Sequence, residues 1–391
     1  MPKKSVYLTL FYYLSISLLF TIPSSNAFSL HLNNTSCGIE NGGVNRTRHF
    51  DSSISFALKS IRWQTTVNSL NSGPLCSING VFLNDQFYDQ TNGTVVWKLP
   101  VLPLGYSYGS DAHVIYKEHL YTPVFFHSNT PSLLFIADIF LNKKTIDLIK
   151  TPIHFKDYTA VSLLPYDKIL YISASTGDVL SLSLSTHKIL WRNKFKTHID
   201  MPLTTDGARL FLADYNGLEA LNLKTGHVVW NYKGVFVEIA AENNRVYADG
   251  PYEVYAFLAP SGKLLWKFDD SYFSAPLGLT VGDGKVFFFD DNANNKNFYA
   301  LNAQNGTVAW IINNYVIDET ILMNHELYVA EYGSNFIHVI DEATGKELRN
   351  LSLKFEPALL MPLTDQLIVA GAKEWKANSK FQETYYLAAV N

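Results

Sequence analysis

Four acidic residues recur at the same place in successive repeats of the chain, each at the end of an apolar segment rich in β-branched or aromatic residues. They are Asp214, Asp249, Asp290 and Glu331. Carboxylate oxygens gathered around one opening bind a cation or a basic ligand. The alternative is turn chemistry, because an Asp before Tyr-Asn-Gly or Gly-Pro readily accepts hydrogen bonds from its own backbone. The sequence therefore predicts an acidic arc whose role is either ligand binding or turn formation.

Aromatic residues between the repeats form a second group that could bind a ligand. Exposed rings stack on sugars or anchor peptides, although half-buried rings are also normal in a chain with 14% aromatic residues. The candidates are Tyr106, Tyr108, His154, Phe155, Phe236, Tyr272, Phe273 and Tyr315. The 11 histidines lack metal-ligand spacing, and the sequence has no nucleophile elbow, phosphate loop or dinucleotide fingerprint. We therefore predict no catalytic residue and no metal ligand set.

A repeated hairpin positions these residues. Residues 220–230, Ala-Leu-Asn-Leu-Lys-Thr-Gly-His-Val-Val-Trp, recur as residues 300–310, Ala-Leu-Asn-Ala-Gln-Asn-Gly-Thr-Val-Ala-Trp. Each copy reads as a strand, a turn closed by a glycine at positive φ, and a second strand ending in Trp. Packing of that ring on a neighbouring copy stabilises the unit by roughly 3 to 5 kcal/mol. The predicted docking residues are Trp63, Trp97, Trp191, Trp230, Trp266 and Trp310, with Gly93, Gly226, Gly262, Gly306 and Gly345.

The count of repeats predicts the fold. Before each hairpin lies a further strand rich in β-branched and aromatic residues, eight in all, and each of these strands follows another short apolar strand. Each repeat thus has four short strands in about 40 residues, which is the period of a β-propeller blade. The C-terminal residues 385–391 stop where a Trp-bearing strand should begin, and an orphan strand ending at Trp63 supplies it. The sequence therefore predicts an all-β, eight-bladed β-propeller of four-stranded antiparallel blades, closed by both termini in one blade. Seven blades are the alternative, if residues 98–150 are an insertion.

The N-terminal region predicts the compartment. Residues 1–27 read as a secretory signal peptide, with two lysines before an uncharged apolar segment and small residues leading to a cut after Ala27. An uncleaved anchor is the alternative. Residues 28–52 follow as an irregular arm, and residues 53–391 as the propeller. We expect the mature protein to be a monomer that is not inserted in a membrane once the signal peptide is cleaved. We expect it to be secreted or in the lumen of the secretory pathway, with the bacterial periplasm as the alternative. The net charge of −4, without runs of like charge, excludes nucleic acid as the expected partner.

Two chemical modifications are expected in an oxidising compartment. Cys37 and Cys76 are the only cysteines, and their pairing would tie the N-terminal segment to the first repeat. Two unpaired buried thiols are the alternative. Asn-x-Ser/Thr acceptors for N-linked glycans, which matter only in a eukaryotic host, occur at Asn33, Asn34, Asn45, Asn92, Asn305 and Asn350.

The pattern Ala-Leu-Asn/Asp-x-x-x-Gly-x-x-x-Trp resembles the docking repeat of the pyrroloquinoline-quinone (PQQ) repeat superfamily over about residues 53–391. That superfamily includes quinoprotein alcohol dehydrogenases and the propeller lipoprotein of the bacterial outer-membrane assembly machine. The resemblance implies the fold, but enzymes and scaffolds share the repeat. The dehydrogenases are longer and carry vicinal cysteines over the quinone, with Ca²⁺ and a catalytic Asp in the central funnel.

In this chain Cys37 and Cys76 are not vicinal. Only the Gly-Gly-containing residues 41–46 faintly resemble a segment that precedes the first blade of those enzymes. We therefore expect a non-catalytic binding or scaffold module for a protein, peptide or glycan, which needs no cofactor. The alternative is a PQQ-dependent, dehydrogenase-like oxidoreductase with PQQ and Ca²⁺.

Overall fold

The structure is a computed structural model of the 391-residue chain. It describes residues 49–50, 58–70, 74–77, 80–109, 112–127, 132–155, 159–196, 199, 202–269, 276–291, 296–363, 365–377 and 380–391. Across these residues the elements are all β-strands, and none of the described residues forms a helix that could cross a bilayer.

The strands form eight sheets, which we number as blades 1 to 8. Two strands come from the N-terminal part of the chain: β1 (His49–Phe50) belongs to blade 7, and β2 (Ile61–Val67) belongs to blade 8. Blade 1 consists of β3 (Leu75–Ser77), β4 (Gly80–Leu83), β5 (Gln86–Tyr88) and β6 (Val95–Lys98), and blade 2 consists of β7 (Tyr106–Tyr108), β8 (Val114–Tyr116), β9 (His119–Phe126), β10 (Ser132–Phe140) and β11 (Thr145–Phe155). Blade 3 consists of β12 (Val161–Tyr166), β13 (Ile169–Ala174), β14 (Asp178–Ser183) and β15 (Ile189–Lys194), and blade 4 consists of β16 (Thr204–Thr205), β17 (Arg209–Ala213), β18 (Gly217–Asn222) and β19 (Val228–Lys233).

Blades 5 to 7 repeat the same four-strand order, and blade 8 takes its fourth strand from the N-terminus. Blade 5 consists of β20 (Glu238–Glu242), β21 (Arg245–Asp249), β22 (Glu253–Leu258) and β23 (Lys263–Asp269), and blade 6 consists of β24 (Pro276–Gly282), β25 (Lys285–Asp291), β26 (Lys296–Asn302) and β27 (Val308–Asn313). Blade 7 consists of β28 (Ile317–Met323), β29 (Glu326–Glu331), β30 (Phe336–Asp341) and β31 (Glu347–Ser352), and blade 8 consists of β32 (Glu356–Leu363), β33 (Gln366–Ala377), β34 (Lys380–Val390) and then β2. The predicted eight-bladed, all-β propeller is confirmed.

Ring closure follows the prediction. In blade 8, β2 pairs antiparallel with β34, so that Ile61 lies opposite Val390 and Trp63 opposite Ala389. The seven-blade alternative is wrong, because most of residues 98–150 belong to blade 2, which spans residues 106–155 and in which the short strands β7 and β8 both pair with the same edge of β9. Closure leaves the ring without the exposed edges of an open array.

The first strand of each blade lies nearest the centre. First strands contact one another between blades, β20 with β24, β24 with β28, β28 with β32, and β32 with β3. The short strand β1 adds in parallel to β28, with His49 opposite Leu322 and Phe50 opposite Met323. The rest of the predicted N-terminal arm, residues 28–52, lies outside the described residues.

Antiparallel order gives the propeller two different ends. The turns between first and second strands and between third and fourth strands lie at one end, which we call the turn end. The loops between second and third strands, and the connections from one blade to the next, lie at the opposite end, the loop end. The second strands between them are apolar on both faces, because neighbouring blades cover both: Val286, Phe287, Phe288 and Phe289 of β25 are all at most 1% exposed.

Five tryptophans pack on glycines of the following blade at the turn end. The pairs are Trp63 with Gly93, Trp191 with Gly226, Trp230 with Gly262, Trp266 with Gly306, and Trp310 with Gly345. Each glycine has φ between 67° and 73°, and each indole Nε1–H donates to a backbone carbonyl of the same turn at 2.7 to 3.1 Å. The turn therefore offers the ring a flat glycine surface and a hydrogen-bond acceptor.

Three blade junctions differ from this pattern. Trp97 stacks on Phe87 of its own blade, with 5.4 Å between ring centroids. In blade 3, His187 takes the glycine position with φ of 55°, and its Nδ1 lies 3.2 Å from Oδ2 of Asp147 in blade 2. In blade 7, Arg349 takes the tryptophan position and contacts both carboxylate oxygens of Glu326 at 2.7 Å.

Candidate functional site: the acidic loop end

The predicted acidic arc lies at the loop end, but three of its four members are buried. Asp214, Asp249 and Asp290 are 4%, 1% and 1% exposed, while Glu331 is half-buried. The structure thus brings the four residues to one end of the propeller and gives most of their carboxylates little access to solvent.

Two of these carboxylates bind local backbone. Oδ1 of Asp214 accepts hydrogen bonds from the backbone N–H groups of Asn216 at 2.6 Å and Gly217 at 2.8 Å. Oδ1 of Asp249 accepts from the backbone N–H of Glu238. Both contacts are those of a turn or strand cap, in which short acidic side chains satisfy backbone donors.

Glu331 takes part in a different contact. Its Oε2 lies 3.1 Å from Nε2 of His338, whose Nδ1 lies 3.1 Å from Oε2 of Glu347. Both ring nitrogens of His338 therefore face a carboxylate. The neighbouring Tyr315 packs edge-on against His338, and burial, with a smaller effect of Glu331, raises the pKa of its phenol.

The predicted loop aromatics belong mainly to the hydrophobic core. Phe236 is 1% exposed and packs edge-on against Tyr255 and Phe257. Phe155 is also buried, Tyr106 is half-buried against Phe126, and Tyr108 donates its hydroxyl to the Pro100 carbonyl. His154 contacts the Pro152 carbonyl. Tyr272 and Phe273 lie outside the described residues.

A residue that the sequence analysis did not select lies at the loop end of the channel-lining strand β28. The pairing of β28 with β29 shifts between Ile317 and Glu319, so Asp318 is the extra residue of a β-bulge. Bulges redirect a side chain out of the regular alternation. Asp318 is exposed to solvent, unlike its neighbours Ile317 and Glu319, which are buried.

Asp318 is accessible and yet surrounded by protein. Burial raises the pKa of its carboxyl well above the usual range, and the negative charges of Glu356 and Glu319 raise it further. The side chain of Asp318 is thus open to solvent on one side and enclosed by protein on the others. Three carboxyl groups therefore crowd together at this end of the channel, and a bound cation would relieve their repulsion.

The two neighbouring carboxylates are held by backbone donors of adjoining segments. Oε2 of Glu319 accepts the backbone N–H of Leu360 in blade 8 at 2.6 Å, and Oε1 of Glu356 accepts that of Gly333 in blade 7 at 2.5 Å. These bonds fix both side chains beside the channel and link blades 7 and 8. Because the same bonds orient the groups in the unbound protein, a basic ligand would meet preorganised carboxylates.

The loop end also carries exposed apolar side chains. Val101 and Leu104, in the connection from blade 1 to blade 2, are fully exposed, and Tyr215 and Tyr252, in loops of blades 4 and 5, are 48% and 62% exposed. The hairpin of β33 and β34 also extends here, because its pairing continues from Lys373 opposite Thr384 to Ala377 opposite Lys380, past the last pairs with β32 and β2.

Residues 159–238 and 233–359 match the family model for the outer membrane protein assembly factor BamB. Together these stretches run over more than half of the 391-residue chain. The chain belongs to this family of PQQ-repeat propellers. No curated protein matches it in a sequence search.

Solved structures share the fold of this PQQ-repeat propeller. BamB from Moraxella catarrhalis superposes with a TM-score of 0.56 at 10% identity, covering 85% of this chain and 99% of that chain. The computationally designed Ika8 protein gives 0.59 at 13% identity, covering 85% and 98%. The quinohemoprotein alcohol dehydrogenase ADHIIG from Pseudomonas putida HK5 gives 0.65 at 10% identity, covering 96% and 81%. At these identities the likeness concerns the fold alone.

The residues of this PQQ-repeat propeller do not fit the quinone that the resemblance implies. A vicinal cysteine pair is excluded by the sequence, in which Cys37 and Cys76 are far apart. At the channel, Glu319 and Glu356 each already accept a backbone hydrogen bond, whereas Ca²⁺ takes six or more oxygen ligands.

The remaining predicted residues are placed as follows. Cys76 is buried in β3, whereas Cys37 lies outside the described residues, so the disulfide stays a prediction. Asn92, Asn305 and Asn350 are exposed. Asn33, Asn34, Asn45 and the predicted signal peptide, residues 1–27, also lie outside the described residues.

Proposed function

We propose that this PQQ-repeat propeller is a non-catalytic binding module that takes a basic, extended segment of a partner protein at its loop end. The exposed bulge residue Asp318, crowded by Glu319 and Glu356, is the observation that carries the proposal. A lysine or arginine side chain in the channel would replace like-charge repulsion with charge-assisted hydrogen bonds.

The exposed apolar side chains of the loop end support a protein rather than a small cation as ligand. Val101, Leu104, Tyr215 and Tyr252 expose apolar surface at the same end of the propeller as the carboxylates, and protein interfaces combine apolar surface with polar groups that set specificity. The family is named for an outer membrane protein assembly factor, and a role in binding other proteins agrees with that name.

The cellular setting is part of the proposal. We infer that residues 1–27 direct secretion, with the periplasm as the alternative compartment, and that Cys37 and Cys76 form a disulfide in the mature monomer. Asn92, Asn305 and Asn350 are exposed enough to carry glycans in a eukaryotic host. Intact-mass measurement of the secreted protein, before and after reduction and deglycosylation, tests all three modifications.

Peptide binding tests the proposed function. A fluorescent peptide of alternating lysine and valine should bind the purified protein, more weakly as salt rises, while a glutamate–valine peptide should not bind. The Asp318→Asn/Glu356→Gln double variant should weaken binding by about tenfold or more. Asp365→Asn, which removes an exposed carboxylate at the turn end, is the matched control and should leave affinity unchanged.

Two results would contradict this function. Equal binding of both peptides would show that the loop-end carboxylates do not select the ligand. Dye-linked alcohol oxidation after addition of PQQ and Ca²⁺, lost on quinone removal, would favour the oxidoreductase alternative.

A further inference from the structure

We propose that the turn end holds a Zn²⁺ site between blades 6 and 7, formed by Asp283, His325 and Glu342. One ligand atom from each residue lies within 4.8 Å of the other two. Nδ1 of His325 is 2.9 Å from Oδ2 of Asp283 and 3.8 Å from Oε1 of Glu342. At Zn–ligand distances of about 2.0 to 2.2 Å, tetrahedral ligands lie roughly 3.4 Å apart, so small side-chain adjustments bring these atoms to coordination distance.

Three separate turns bring the ligands together. Asp283 is the first residue of the tight turn between β24 and β25, His325 is the second residue of the corresponding turn in blade 7, and both have positive φ, 50° and 61°. Glu342 directly follows β30. Its backbone N–H donates to the His325 carbonyl at 3.2 Å, which ties the two turns of blade 7 together.

The residue at the position of Glu342 can be compared with its equivalents in the other blades. The position of Glu342 is defined by its carbonyl, which accepts the Nε1–H of Trp310. The carbonyls that serve this purpose in blades 4, 5 and 6 belong to Leu223, Ala259 and Ala303. Docking of the tryptophan uses only the backbone, so packing of the repeat does not require a carboxylate there.

The neighbouring interface shows the same contrast at all three positions. Between blades 5 and 6 the places of Asp283, His325 and Glu342 are taken by Asn243, Gly284 and Ala303. That set offers neither a carboxylate nor an imidazole. The interface between blades 6 and 7 therefore differs from its neighbour at all three positions, and at each of them it has a residue that can bind a metal.

The carboxylate of Glu342 is buried and oriented. Its side chain is 11% exposed, and Oε2 accepts a hydrogen bond from Nζ of Lys285 at 2.7 Å. This bond leaves Oε1 on the side of His325, the arrangement in which an outer group orients a metal ligand. With a neutral imidazole, the two carboxylates and Lys285 carry a net charge of −1, which favours a divalent cation.

The ligand types select the metal. One imidazole and two carboxylates suit Zn²⁺ in a site with three protein ligands, and leave a fourth position for water. Ca²⁺ and Mg²⁺ prefer oxygen ligands alone and in larger number. Because His325 is 70% exposed, the fourth position faces solvent, and the metal joins the two blades as an accessible clamp.

Co²⁺ is the probe for this site, since tetrahedral Co²⁺ absorbs visible light when it occupies a zinc site. The full chain without an affinity tag, freed of metal by a chelator, should bind one equivalent of Co²⁺ with a tetrahedral spectrum, and one equivalent of Zn²⁺ should displace it. Zn²⁺ should also raise the melting temperature. His325→Gln and Asp283→Asn should each lower Zn²⁺ affinity by about tenfold or more.

His338→Gln is the matched control, because His338 also lies between two carboxylates, with each ring nitrogen 3.1 Å from one of them. This variant should bind Zn²⁺ as the parent does. Melting of each variant in chelator separates loss of ligand from loss of fold. The proposal is wrong if the parent binds no stoichiometric Co²⁺ or Zn²⁺, or if His325→Gln folds and binds Zn²⁺ with parental affinity.

Discussion

Gly262 lies directly against the indole ring of Trp230: a Cβ atom added to Gly262 would be 2.6 Å from Cδ2 of that ring. Gly262 has φ of 67°, so an alanine there would suffer both backbone strain and a clash with a ring that packs between two blades. The pair therefore joins blade 4 to blade 5 through a surface that only glycine provides.

Gly262→Ala should lower the free energy of unfolding by roughly 2 to 4 kcal/mol, the sum of the positive-φ cost and displacement of the ring. Gly333→Ala is the control, because Gly333 has a similar φ of 72° and nothing within 4 Å of its added Cβ; it should cost about 1 kcal/mol. Denaturant unfolding of both variants provides the measurement. Equal losses would mean that strain alone explains the glycine.

Trp63 tests closure of the ring by the same contact. Its strand pairs with the C-terminal strand of blade 8, and its ring packs on Gly93 of blade 1. Trp63→Ala should therefore cost about 3 to 5 kcal/mol, as expected for a buried Trp, and match Trp266→Ala in the middle of the ring. If Trp63→Ala left the denaturation midpoint unchanged while Trp266→Ala lowered it, the closing blade would contribute little stability.

The fold could be predicted because its signal is local and repeated. The spacing from Gly226 to Trp230 recurs in hairpin after hairpin, and the orphan strand ending at Trp63 has a role only if the ring closes. Positions where the repeat changes were harder to interpret. At Arg349 the usual tryptophan is missing; in the next blade the third and fourth strands, β34 and β2, come from opposite ends of the chain and are not joined by a hairpin turn, and Arg349 instead pairs with Glu326.

The candidate site could be predicted only in its general position. The ends of the second strands pointed to acidic residues at the loop end, and the turn-forming alternative describes Asp214, whose carboxylate accepts hydrogen bonds from its own turn. Asp318 was missed because its exposure depends on a bulge, which is a property of strand register. Asp283, His325 and Glu342 come from three turns and meet only when two blades pack.

Arg349 and Glu326 form a bidentate pair in place of a docked tryptophan. Both side chains are partly buried, and the Arg349 guanidinium also lies over the ring of Tyr328, 5.9 Å from its centroid. Arg349→Lys should cost about 1 to 2 kcal/mol despite retaining the charge, because an ammonium group cannot make two parallel hydrogen bonds. Arg62→Lys, at an exposed pair with Asp365, is the control and should change the unfolding free energy by less than about 0.5 kcal/mol. Similar effects at both sites would contradict a special role for the blade 7 pair.

Glu219 should make stability depend on pH near neutrality. Burial, with a smaller effect of the Asp214 charge, raises the pKa of its carboxyl to about 7 from 4.5. The folded protein therefore keeps a proton on Glu219 between pH 4.5 and 7 that the unfolded chain releases. Stability contributed by this group is full below the unfolded pKa and is lost as pH rises through the folded one.

Glu219→Gln removes this titration while keeping the shape of the side chain. The variant should equal the parent in stability near pH 4 and exceed it at pH 8 by roughly 1 to 2 kcal/mol, a value reduced for partial solvent exposure. Melting temperatures across this range provide the test, with Glu118→Gln, at an exposed residue in the turn before β9, as the control. If the melting temperatures of parent and Glu219→Gln changed with pH in the same way, Glu219 would have the same pKa in the folded and unfolded protein, and the prediction would be wrong.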